Sequence, residues 1–243
     1  MEATLRAGVL KSLLECTKDL WSTANFVFSE NGLQLRAMDS SHVALVSLTL
    51  SPSAFSSFCC PQKTTLGIQF DALSIVLKSF ASEDQINLEF ALNSDHVTIR
   101  RGDDRQWELK LLDIEEDEIS IPNQTYDKSA KLCSAELHKC LRDLKDLNGE
   151  TIVISLDESG ACFSVEGQLG KGTAAITRGI SIEGNVNVKC SYCMRYLAAF
   201  AKGSSLCPTI SLRLGRDTPI CVAYDLEDKG SLEFYLAPRL EED

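Results

Sequence analysis

Among residue types able to do chemistry, Cys190-Ser191-Tyr192-Cys193 stands out first, a CxxC pair of thiols. Two cysteines at this spacing supply half of a structural zinc site, or cycle between dithiol and disulfide where a helix N-terminus lowers a thiol pKa. A closed zinc site needs a second pair, and only Cys59-Cys60 and isolated cysteines remain among the ten. The pair falls where a helix is expected to start, so the redox alternative stands on position alone. Gly167-Gln168-Leu169-Gly170-Lys171-Gly172-Thr173 has the look of a phosphate-cradling loop. It lacks the glycine five residues before Gly170, and Gly172 stands where a Ser or Thr must follow the lysine. A turn between strands is the expectation there. His42 has no nucleophile or paired carboxylate tied to it by motif. With three histidines and no triad, dyad or ligand cluster, the chain is expected to be no enzyme and to need no cofactor and no metal.

Function must then reside in surfaces, and surfaces are set by the elements that carry them. The 243 residues, 44% hydrophobic and 24% charged, suffice for one large domain or two smaller ones and carry no disorder signature. No stretch approaches the ~20 apolar residues of a membrane span. Met1-Glu2-Ala3-Thr4 is no start of a secretory signal. A reducing compartment is expected, nucleus or cytosol, with cysteines packed as small hydrophobes and the sequon Asn123-Gln124-Thr125 unmodified.

The sequence repeats. Lys18-Asp19-Leu20 and Lys145-Asp146-Leu147 each close an amphipathic stretch, and Glu30-Asn31-Gly32 and Glu158-Ser159-Gly160 each mark a turn. Each turn leads into strict alternation, Leu33, Leu35 and Ala37 in one half and Ala161, Phe163 and Val165 in the other. Further along, Ile86 to Phe90 corresponds to Ile210 to Leu214, and Trp107 to Leu111 to Leu232 to Leu236. Helices are expected over roughly 5–20, 71–81, 135–146 and 191–202, the last three N-capped by Asp71, Ser134 and Ser191. The rest reads as strands with short turns, which predicts an α+β fold of two tandem, similar domains of antiparallel sheet with two helices each. The division falls at 1–112, a connector over 113–122, and 123–243. The connector is acidic and ends in Pro122.

The net charge of −11 argues against a nucleic-acid partner only if charge is spread evenly. It is not. The four helical windows hold nine basic residues against six acidic ones, so the deficit lies in strands and connector. A surface built from four such helices suits the phosphate backbone of duplex DNA, bound without sequence preference.

The segment Leu35-Arg36-Ala37-Met38-Asp39-Ser40-Ser41-His42-Val43-Ala44-Leu45-Val46 resembles the signature of the eukaryotic proliferating cell nuclear antigen (PCNA) family of sliding clamps. So do Phe234-Tyr235-Leu236-Ala237-Pro238-Arg239 before an acidic tail, Leu109 to Asp113, Cys140 to Leu144, and Arg195 to Leu197. The matches run the length of the chain in the family's order. The resemblance implies a nuclear DNA sliding clamp and processivity factor: a homotrimeric ring of six domains whose helices line a hole for double-stranded DNA. Carried over by position, Lys11, Lys18, Lys78, Lys139, Arg142, Arg195 and Lys202 face DNA. A pocket for partner peptides is implied at Met38, His42, Val43, Leu45, Ile119, Ile121, Pro219, Tyr235, Leu236, Ala237 and Pro238. Trp107 and Gly172 are implied at the subunit interface.

The partners implied are DNA polymerase delta, the clamp loader, flap endonuclease, DNA ligase and other proteins carrying the PCNA-interacting motif. The chain departs from the family pattern at Glu158, where the ubiquitin-acceptor lysine usually stands, and in shorter segments near Asn93 to Asp104 and Ile176 to Lys189. A subunit of the heterotrimeric checkpoint clamp is the alternative, and an enzyme using Cys190 and Cys193 is the alternative from another class.

Overall fold

The computed structural model describes residues 1–115, 119–121 and 124–239. The middle of the expected connector, Pro122, the sequon's Asn123 and the acidic tail lie outside the described residues. The chain divides into two compact units. Unit 1 comprises Met1–Ser40, Val46–Ile119 and Leu226–Leu232; unit 2 comprises Ser41–Leu45, Ser120–Asp225 and Glu233–Asp243.

The N-terminal half of the sequence runs β1 (Glu2–Arg6), α1 (Ala7–Thr17), β2 (Thr23–Ser29), β3 (Gly32–Met38), β4 (Ala44–Leu50) and β5 (Ser57–Cys59). It continues with β6 (Thr64–Gln69), α2 (Phe70–Leu77), β7 (Gln85–Glu89), β8 (His96–Arg101) and β9 (Arg105–Lys110). The second half repeats that order. It opens with β10 (Lys128–Cys133), α3 (Ser134–Lys145), β11 (Thr151–Asp157), β12 (Gly160–Gly167), β13 (Gly170–Ile176) and β14 (Ser181–Glu183). It closes with β15 (Val188–Cys193), α4 (Met194–Phe200), β16 (Thr209–Leu214), β17 (Ile220–Asp225) and β18 (Gly230–Leu236).

Pairing repeats as faithfully as order. β1 lies between β5 and β7, and β10 between β14 and β16, all antiparallel. β2 lies between β3 and β6, and β11 between β12 and β15. The alternating apolar residues face inward as the period of two requires: Leu33, Leu35 and Ala37 are buried, and so are Ala161, Phe163 and Val165. In unit 2, Leu137 and Leu141 of α3 and Leu197 of α4 meet Ile154, Phe163, Leu212 and Val222 around one small apolar cavity. One helix pair and two sheets thus share a single core, each fully buried side chain contributing about 1.5–3 kcal/mol. Phe200 and Phe234 stack in it, with centroids 4.4 Å apart.

The expected N-caps are not used. The strand preceding each helix runs straight into it, so the capping positions are Arg6, Gln69, Cys133 and Cys193, all extended and none making a side-chain cap. Asp71 lies inside the first turn of α2, Ser134 is the first residue of α3, and Ser191 belongs to β15. The first amide of each helix instead donates to a distant carbonyl: Ala7 to Asp84, Phe70 to Ser22, Ser134 to Pro208 and Met194 to Glu150, at 2.8–3.0 Å. That contact meets one of the four amide donors that a helix start leaves open, whereas a side-chain cap would have served the second or third. The same feature shortens the first and last helices at their starts, since residues 5–6 and 191–193 are strand.

Candidate DNA-facing helices and partner-binding surface

The basic helical residues divide by what holds them. Lys18, Lys78, Lys139, Arg142 and Arg195 are exposed; Lys11 and Lys202 are half-buried. Lys11 donates through Nζ to Phe80 O, and Arg101 of β8 donates to Ser79 O. Both cations therefore bind backbone carbonyls in the turn that follows α2. Arg142 reaches its neighbour Asp143 at 3.2 Å, but both are more than half exposed, so the pair is weak. Arg195 lies 4.9 Å from the centroid of the Tyr196 ring, which holds its guanidinium at the surface of α4. On α3 the apolar side chains Leu137, Cys140, Leu141 and Leu144 are buried while Lys139, Arg142 and Lys145 point outward. That is the 3.6-residue period sorting charge from core.

The residues expected at the partner pocket form two groups. In unit 1, Met38 is 41% exposed on the outer face of β3, and Arg36 Nη1, two residues earlier on that face, donates to Ile119 O at 3.2 Å. In unit 2, Ala237 N donates to Val43 O at 2.9 Å, bringing the Ala237-Pro238 end beside Val43, itself 38% exposed. His42 occupies the intervening turn with φ 57, a left-handed conformation. Pro219 precedes β17 and is half-buried, as are Ile121 and Tyr235. Leu45 and Leu236 are buried at 6% and 1% exposure, so they act as support beneath the surface. Tyr235 donates to Glu233 at 2.7 Å, and burial pushes its phenol well above the usual range.

Cys190 and Cys193 lie on β15, not on a helix. Three positions apart on a strand, they point to opposite faces and cannot close on one another. Burial raises the Cys190 thiol further from reactivity. All ten cysteines are free; Cys16, Cys140 and Cys221 are buried, whereas Cys59 and Cys133 are exposed, against the expectation of packed thiols. The glycine-rich stretch is the β12–β13 hairpin turn, with Gly167 opposite Gly170. Among the described residues, no group of three or more His, Cys, Asp or Glu side chains could hold a metal, and no helix is long and apolar enough to cross a membrane.

Comparison with known families now decides the assignment. The N-terminal domain of Proliferating cell nuclear antigen matches residues 1–120, and its C-terminal domain matches residues 120–239. The chain belongs to the PCNA family. The crystal structure of Proliferating Cellular Nuclear Antigen from Entamoeba histolytica superimposes with a TM-score of 0.92 at 29% identity, covering 98% of each chain. The PCNA family is one of non-enzymatic DNA sliding clamps, and neither match favours the checkpoint-clamp alternative.

Within the PCNA fold, two residues placed by resemblance at the subunit interface also have work inside their own units. Trp107 packs on Phe80 with ring centroids 5.2 Å apart. A Cβ at Gly172 would lie 2.4 Å from Leu147 Cδ1, so β13 passes under the end of α3 only without a side chain there. Sequence reasoning did not single out Arg101, Asn25 or Arg239. Each donates to a group remote in sequence, Ser79, Ile114 and Thr151 respectively. No local pattern announces such contacts.

Proposed function

We propose that three copies close head to tail into a ring that encircles duplex DNA, and that the residues assigned by resemblance to the partner pocket, Met38, Ile121 and Tyr235 among them, tether partner proteins to it. The observation that carries this reading is an imbalance of sheet edges. β4 and β18 are neighbours. In unit 2 Ala237 N meets Val43 O, and in unit 1 a Cβ on Gly230 would lie 1.9 Å from Thr49 O. Their counterparts in the duplication are β13 and β9, and each ends its own sheet with one side unpaired among the described residues. Exposed edges of this length invite pairing. A β9 of one copy against β13 of the next repeats the contact that β18 makes with β4, and a head-to-tail contact gives a closed ring where its rotation returns the last copy to the first.

A closed ring needs no tight grip on DNA. The exposed cations of the four helices supply weak, salt-dependent attraction to phosphates while topology prevents escape. On this reading the clamp serves replication and repair in the nucleus. Its clients are DNA polymerase delta, flap endonuclease, DNA ligase and other proteins whose short motifs place a hydrophobic plug in the pocket; a clamp loader opens it. Light scattering tests the reading. A mass of about 80 kDa, three copies of a 26.7 kDa chain, is expected at micromolar and at nanomolar concentration. A monomer at both overturns it.

A further inference from the structure

Beyond β9 the chain is laid across three neighbouring strands of unit 1, in the order β3-β2-β6. Leu112 N donates to Gly67 O on β6 at 2.8 Å. Asn25 Nδ2, on β2, donates to Ile114 O at 3.1 Å. Arg36 Nη1, on β3, donates to Ile119 O at 3.2 Å. Three successive strands thus each hold one backbone group of the chain between Leu112 and Ile119, two of them in the connector. The approach at Gly67 is close enough that an added Cβ would lie 2.1 Å from Leu112 O. Both carbonyl contacts come from side chains on the outer face, and Arg36 is two residues from Met38 on that face.

We propose that Asn25 and Arg36 are positioning residues for partner peptides: by pinning the carbonyls of Ile114 and Ile119 over β2 and β3 they hold Ile119 on the outer face that carries Met38 before a peptide arrives. The inference rests on the partner-pocket reading and adds its regulation. An untethered connector has to be ordered by the incoming peptide, and that ordering cost subtracts from affinity. A connector already tethered has met the cost during folding. The guanidinium suits the task because its planar fork donates in a fixed direction, which a lysine ammonium does not reproduce.

The test is calorimetric titration of the full-length oligomer with a peptide carrying the hydrophobic partner motif, alongside thermal melting. Arg36→Ala is expected to weaken binding about three- to tenfold, through a less favourable entropy, with the melting temperature unchanged. Asn25→Ala should add to it, and Arg36→Lys should recover part of the loss. Ile121→Asp is the control on the pocket and should abolish binding. Wild-type affinity in Arg36→Ala, with binding lost in Ile121→Asp, overturns the positioning role and leaves the pocket standing. Undiminished binding by Ile121→Asp removes the pocket and the positioning role with it. An affinity loss that tracks a lowered melting temperature, and that lysine does not relieve, assigns Arg36 to folding and also overturns the proposal.

Discussion

A methyl group added at Gly172 would lie 2.4 Å from Leu147 Cδ1 and 3.0 Å from Leu144 Cδ2. Leu144 is buried on α3, and Leu147, two residues past its end, is half-buried and can yield in part. Gly172→Val should therefore cost about 1–3 kcal/mol by overpacking, read as a lower denaturant midpoint in a background that carries Thr173→Glu to weaken the oligomer. An unchanged midpoint there would confine Gly172 to the subunit seam. Cys221 offers a pH-dependent counterpart. It is fully buried, and desolvation pushes its thiol up to about 11 from an ordinary value of 9.0. Between those values the unfolded chain releases its proton while the folded one retains it. Stability contributed by this group is intact below pH 9 and falls as pH rises toward 11, by at most about 1.4 kcal/mol per pH unit. Denaturant midpoints at pH 8 and 10.5 should differ more in the wild type than in Cys221→Ala. At this scale the sequence was legible wherever residue type decides burial, as at Leu33, Leu35, Phe163 and Val165. It was silent on Asn25 and Arg36, whose partners are carbonyls some 80 or more residues away.

At the scale of elements, hydrophobic period sufficed to find all four helices and the six strands it singled out, among them β3, β7, β12 and β16, because core-facing positions dominate the energetics of both. Helix starts were misplaced for one physical reason. Capping rules describe a helix that begins after a loop, whereas here each begins as the continuation of a strand, and its first amide is satisfied by a carbonyl from elsewhere in the fold. The helical surface itself was legible as charge: Lys78 and Arg142 are exposed as the amphipathic pattern requires. Replacing both with Glu should reduce clamp-dependent DNA synthesis severalfold while leaving the mass in solution unchanged. Processivity equal to wild type at moderate salt would count against a basic bore. Lys11 should matter less for DNA than Arg142, because its ammonium is already engaged by Phe80 O. Lys11→Ala compared with Arg142→Ala in a salt-dependent DNA-binding assay checks that ranking.

For the whole molecule, the duplication itself supplies a register for the proposed seam. Added Cβ atoms at Gly32 and Gly160 would meet Leu50 O and Ile176 O, so those two carbonyls are equivalent. Aligning Trp107 with Leu232 and transferring the β4–β18 contact then sets Thr173 of one copy opposite Glu108 of the next. Like charges directly opposite destabilise a sheet. Thr173→Glu should shift the oligomer toward monomer on dilution, Thr173→Lys should not, and added salt should narrow the gap. Equal dissociation of both variants would reject this register.

The division of the chain carries a consequence for its birth on the ribosome. Unit 1 includes Leu226–Leu232, so it lacks a piece until residue 232 has emerged. Although the first 119 residues hold most of that unit, its β4 edge must wait for more than a hundred further residues, on the order of ten seconds of synthesis. During that interval β4 is exposed as an unpaired edge next to every other nascent copy on the same message. The repeat makes the hazard specific, since β9 of a finished copy is built like the missing β18. A chaperone that shields β4, or slow codons placed elsewhere than between the two halves, would keep a protein designed to pair with itself from doing so too early.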